Sequence, residues 1–148
     1  MTRTVSSWSV HRCPFRAMGS ACEVVLAASS VHDAQHLAQM AIDEVLRIEK
    51  KYSRYTADSL IANINQQAGL RSVLCDDETW ALLQYASQLH EQSQGLFDIT
   101  SGVLRQAWNF QVPSIPSADK LEALRVKVGW HKVVLKDQSI AFPSAGME

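Results

Sequence analysis

Asp98 stands between Phe97 and Ile99, directly before the small-residue run Thr100-Ser101-Gly102 and a short helical pattern through Val103 and Leu104. A lone ionised aspartate among apolar neighbours costs several kcal/mol unless something pairs with it. Two arrangements satisfy it. The carboxylate caps the following helix by accepting from the free amides of its first turn, or it accepts from a bound polar ligand.

The hydrophobic periods upstream and downstream give an order of elements. Residues 21–28, with Val24, Val25 and Leu26, form a β-strand pattern. Asp33 then opens a helix in which Ala34, Leu37, Ala38, Ala41, Ile42, Val45, Leu46 and Ile48 make one broad apolar stripe. Lys50 and Lys51 close it, favourable at the negative end of the helix. A polar and aromatic loop, Tyr52 to Asp58, leads to a short helix with Leu60, Ile61 and Ile64, capped by Asp58 or Ser59 and broken at Gly69. Arg71 to Leu74 suit a short strand. Asp76, Asp77 and Glu78 start a helix that buries Trp80, Leu82, Leu83, Ala86 and Leu89.

After the Gly95–Phe110 segment, Ser117 caps a helix carrying Leu121, Leu124 and Val128. His131–Leu135 and Ser139–Phe142 alternate as two strands around an Asp137-Gln138 turn. Strand, helices, then strands predict an α+β fold, an antiparallel or mixed sheet packed with several helices. A closing hairpin needs a partner for its outer edge. Either an earlier segment supplies it or a C-terminal part is missing, and the second is expected here.

Length and composition narrow the function classes. A chain of 148 residues with 47% apolar and 20% charged residues fits one globular domain. A net charge of −1 gives no electrostatic basis for nucleic acid or an acidic membrane surface. Cys13, Cys22 and Cys75 have neither zinc spacing nor an even count, which suits reduced thiols. Met1 to Arg16 lacks an apolar run of signal-peptide or membrane-spanning length, so a cytoplasmic location is expected.

Few residues carry chemistry by themselves. Met18-Gly19-Ser20 is either a plain strand-entry turn or one where glycine lets a ligand approach the backbone. Tyr55 either packs on its helix or stacks on a nucleotide base. His32 and His36 are four apart, yet no third ligand accompanies them, and solvent exposure is expected. Trp108 and Phe110 suit packing positions. No phosphate-binding loop, dinucleotide fingerprint or serine nucleophile elbow occurs.

Taken together, these segments resemble the N-terminal half of the FAD:protein FMN transferase family, the ApbE-like flavin transferases. The residues that carry the resemblance are Met18-Gly19-Ser20, Tyr52-Ser53-Arg54-Tyr55 with Asp58-Ser59, and Ile64-Asn65. Gly95 to Thr100 continue it, with Gly102, Leu104 and Trp108-Asn109-Phe110. The resemblance implies an N-terminal arm over 1–14 and the N-terminal portion of a flavin-transferase domain over 15–148, with the C-terminal portion absent. It implies that Met18, Tyr55, Leu96, Phe97 and Asp98 hold FAD. It also implies transfer of FMN from FAD to a threonine of an acceptor protein, with release of AMP and with Mg²⁺ as the metal. Some members instead hydrolyse FAD to FMN and AMP. The family's glycine-rich turn and its metal-binding Asp and Thr follow a Gly-Met-Glu run, here Gly146-Met147-Glu148, so no metal residue is assigned within 1–148. A chain of this extent is then expected to be inactive alone, with a missing C-terminal half among its partners. The rival from another class is a non-catalytic module that binds flavin or a protein partner.

Overall fold

A computed structural model of the chain describes residues 8–108 and 114–148. The chain divides into two compact units, Met1–Leu60 and Ile61–Glu148.

The first unit opens with β1 (Ser9–Ala17), which pairs antiparallel with β2 (Ser20–Ala28) in a register running from Ser9 opposite Ala28 to Ala17 opposite Ser20. β1 therefore begins inside the stretch expected as an arm. Its alternation is real but disguised: His11, Cys13, Phe15 and Ala17 are covered, while Arg12, Pro14 and Arg16 face solvent. Two residues, Met18 and Gly19, join the strands with φ of 53° and 71°. Positive φ at both positions makes a turn whose twist matches the paired strands.

α1 (Val31–Tyr52) packs against both strands. It starts two residues earlier than the sequence suggested, because Ser30 is the cap and its Oγ accepts from the Asp33 amide at 3.1 Å. Hydrogen bonds from the Ser30 and Ser29 hydroxyls hold the Asp33 carboxyl below its ordinary value. The buried stripe is narrower than expected. Ala34 and Ala38 are covered fully and Ile42, Val45 and Ile48 partly, whereas Leu37 and Leu46 stand in solvent. Alanines on the inner face let the helix backbone come close to the hairpin.

α2 (Leu60–Gln66) ends before Gly69, whose φ of +78° reverses the chain. β3 (Val73–Leu74) follows, then α3 (Asp77–Gln92), capped by Asp76 through the Thr79 amide at 3.0 Å. α3 buries Thr79, Leu83 and Ala86; Leu82, expected inside, is exposed. A 3₁₀ helix spans Ile99–Ala107, and α4 (Ala118–Arg125) is capped by Ser117. Val103, Ala107 and Leu124 form a cluster with Leu104, Leu121 and Val128 around them.

Trp130–Lys132 make one turn of 3₁₀ helix, so His131 belongs to a turn and not to the strand expected there. β4 (Val134–Lys136) and β5 (Ser139–Ala141) form the expected hairpin about Asp137 and Gln138, with φ of 48° and 54°. The partner of β5 comes from earlier in the chain: β3 pairs with it antiparallel, and the sheet order is β3-β5-β4. Antiparallel sheets with helices make the fold α+β, as the sequence indicated. No described helix is long and apolar enough to cross a membrane.

Candidate functional site

In the first unit, a cavity of about 660 Å³ lies where three pieces of chain meet. The last turns of α1 contribute Ile48, Glu49 and Tyr52. The loop after α1 adds Ser53 to Thr56, and the β1–β2 turn adds Met18 and Gly19. Each piece is placed by local chemistry. Ser53 stops α1 in an extended conformation, and its Oγ accepts from the Tyr55 amide at 3.2 Å. The Ser59 hydroxyl donates to the Ser53 carbonyl and closes the loop. Lys51 stands 5.2 Å over the Tyr52 ring.

Tyr55 is 83% exposed. Met18 is 62% exposed on the turn. Of the five residues expected to bind a ligand, Met18 and Tyr55 therefore share one cavity. Glu49, which the sequence did not single out, also lines it and accepts from the Met18 amide at 2.7 Å.

The other three, Leu96, Phe97 and Asp98, are consecutive on a loop of the second unit. Leu96 is almost wholly exposed and Phe97 partly. The loop is nevertheless ordered by side chains from the end of α3. His90 Nδ1 donates to the Phe97 carbonyl at 2.8 Å, which puts a proton on that nitrogen. Ser93 Oγ accepts from the Phe97 amide at 2.9 Å and donates to the His90 carbonyl at 3.1 Å. Left-handed Gln94 and Gly95 make the reversal possible.

Asp98 caps the 3₁₀ helix. Its Oδ1 accepts from the Thr100 amide at 2.8 Å and the Thr100 hydroxyl at 2.6 Å. Its Oδ2 accepts from the Trp130 amide at 2.9 Å. Thr100, wholly buried, uses the same hydroxyl oxygen to accept from the Gly129 amide at 2.7 Å. Burial acts to raise the Asp98 carboxyl, but the Thr100 hydroxyl, the Trp130 and Thr100 amides and nearby His90 outweigh it and hold it below its ordinary value. The carboxylate thus finds partners within the protein on both oxygens. It ties residue 98 to residue 130, and no sequence spacing signals a bond of that range.

Other expectations resolve plainly. His32 and His36 are exposed. Trp108 is 42% exposed at the end of the 3₁₀ helix, and Asn109 and Phe110 lie outside the described residues. Cys13 and Cys22 are half-buried free thiols and Cys75 a buried one. Among the described residues no group of three His, Cys, Asp or Glu could hold a metal ion.

Comparison with known proteins adds ancestry to this geometry. A family model described as the ApbE family matches residues 18–148. An FAD:protein FMN transferase of Chlamydia muridarum is 27% identical over 115 residues, covering 76% of this chain and 36% of that protein. One from Treponema pallidum is 30% identical over 102 residues, 65% of this chain and 28% of that protein. The chain thus spans about a third of the length of the curated relatives it matches. Among solved structures, the ApbE protein of Thermotoga maritima superposes with a TM-score of 0.82 at 23% identity, over 95% of this chain and 46% of that one. The flavin transferase ApbE of Vibrio cholerae gives 0.81 at 17% identity, over 95% and 47%. At such identities the structures speak for the fold.

Proposed function

We propose, because this chain belongs to the ApbE family, that it supplies a flavin-dinucleotide site to the reaction its curated relatives are named for, transfer of FMN from FAD to a protein. The observation that carries the reading is the cavity holding Met18 and Tyr55. Its volume falls in the range of about 300–1,000 Å³ that small-molecule sites occupy. Tyr55 offers a flat face for an aromatic base, Met18 an adaptable apolar contact, and Arg54 on the same wall a charge suited to phosphate.

On their own loop of the second unit Leu96 and Phe97 present apolar surface of a kind that suits contact with a flavin. Asp98 serves by holding that loop against Thr100 and Trp130. The reaction itself is a displacement at phosphorus. The hydroxyl oxygen of an acceptor threonine bonds to the FMN phosphorus, the bridging bond to AMP breaks, the hydroxyl proton is lost, and AMP leaves. Water in place of threonine gives hydrolysis to FMN and AMP. Magnesium, when bound, would neutralise pyrophosphate charge. The described residues offer it no cluster of ligands, so no step through a metal is assigned to this chain. The role argued for these residues is binding and orienting FAD.

Equilibrium dialysis against FAD, with and without Mg²⁺, followed by assay for AMP tests this. Saturable FAD binding with no AMP formed is the expected result for the chain alone. AMP formation would assign catalysis to these residues, and no binding under either condition would overturn the reading.

A further inference from the structure

Met18 is an unusual residue for its position. The first place of a two-residue turn with both φ positive favours Asn, Asp or Gly, because a side chain there crowds its own backbone. A methionine accepts that cost only if something else fixes the turn or uses the side chain. Both conditions are met here. The Met18 side chain borders the cavity, and its amide donates to Glu49 Oε1 at 2.7 Å, a bond spanning 31 residues from hairpin to helix.

Glu49 is itself out of place. It lies in the last turns of α1 beside Arg47, Lys50 and Lys51, at a helix end whose exposed carbonyls favour cations. An acidic side chain there works against the helix dipole. The Met18 amide accounts for it, because the amide of this turn position points away from the hairpin ladder and takes a charged acceptor at good geometry. Two residues that each contradict local preference satisfy one another, and both line the same cavity.

We infer that Glu49 is a positioning residue for flavin binding: its carboxylate tethers the β1–β2 turn to α1 and holds the Met18 side chain at the cavity wall. The inference rests on the reading of that cavity as the FAD site. Glu49 need not touch the ligand; it sets where Met18 stands.

The test uses the full chain with Glu49→Ala and Glu49→Gln, read by amide hydrogen exchange at Met18 and by FAD titration. Glu49→Gln keeps a neutral acceptor and is expected to keep both properties within about threefold. Glu49→Ala is expected to speed Met18 exchange and to weaken FAD binding by about tenfold each, with circular dichroism unchanged. Wild-type exchange and FAD affinity in Glu49→Ala would overturn the inference. If Glu49→Ala fails to fold, Glu49→Gln decides: loss of FAD binding in that folded variant overturns a role confined to accepting the amide. If the wild-type chain itself binds no FAD, the cavity reading falls and takes the ligand half with it, while Met18 exchange still upholds or refutes the tether.

Discussion

At the scale of single residues, two positions carry the most consequence. Asp98 was the conspicuous oddity in the sequence, and its carboxylate accepts three hydrogen bonds, two from Thr100 and one from Trp130. Asp98→Asn would turn an amide donor toward one of those donors, and a loss of about 2–3 kcal/mol in urea unfolding is expected. The pH dependence follows from the depressed native carboxyl. Its stabilisation is complete above the unfolded value and is lost as pH falls through the native one. The urea midpoint of the wild type should therefore drop between about pH 5 and pH 2 by more than that of Asp98→Asn. Met18 makes the opposite kind of case. Met18→Asn relieves the left-handed strain, so a gain of about 1 kcal/mol in stability is expected together with weaker FAD binding. Thermal melting and flavin titration on the same sample read the two effects. A variant that is both less stable and an unimpaired binder would contradict the role given to Met18.

At the scale of elements, legibility tracked how loudly a residue announces its environment. β2 was readable because Val24, Val25 and Leu26 have no other common use, whereas β1 was hidden by Arg12, Pro14 and Arg16 on its outer face. The cap at Ser117 was readable because a side chain satisfies amides within three residues, while Asp76 was readable only as one of three acidic residues that open α3. The start of α1 at Ser30 was displaced by the competing signal of Asp33. The pairing of β5 with β3 joins residues far apart in sequence, and no local pattern encodes it. The same division holds in the site. Tyr55 and Met18 stood out as motif residues, but Glu49, which accepts from the Met18 amide, and His90, which donates to the Phe97 carbonyl and lies near the Asp98 carboxylate, look like ordinary helix positions. The β4–β5 turn offers a direct check on the element scale. Gln138 sits at φ 54° where glycine is at ease, so Gln138→Gly is expected to raise stability by about 1 kcal/mol in thermal melting.

At the scale of the molecule, each unit is held by its own long-range contacts. In the second, the Gly69 amide donates to the Phe142 carbonyl at 2.8 Å, and a Cβ on Gly69 would meet the Ala145 backbone nitrogen at 2.6 Å. With φ at +78° besides, Gly69→Ala is expected to cost about 2–3 kcal/mol, read as a lower urea midpoint. Ala17, Ala28, Ala34 and Ala38 play the corresponding part in the first unit, where small buried residues let helix and hairpin approach.

The flavin assignment is tested most directly by titrating FAD against the wild-type chain and Tyr55→Ala while following flavin fluorescence. Tyr55 is exposed, so its removal should leave thermal stability within about 1 kcal/mol. Loss of one stacking face should weaken FAD binding by about tenfold or more. Saturable quenching by the wild type and that loss in Tyr55→Ala are the expected results. Equal quenching by both chains, or none by either, would contradict a flavin site at this cavity.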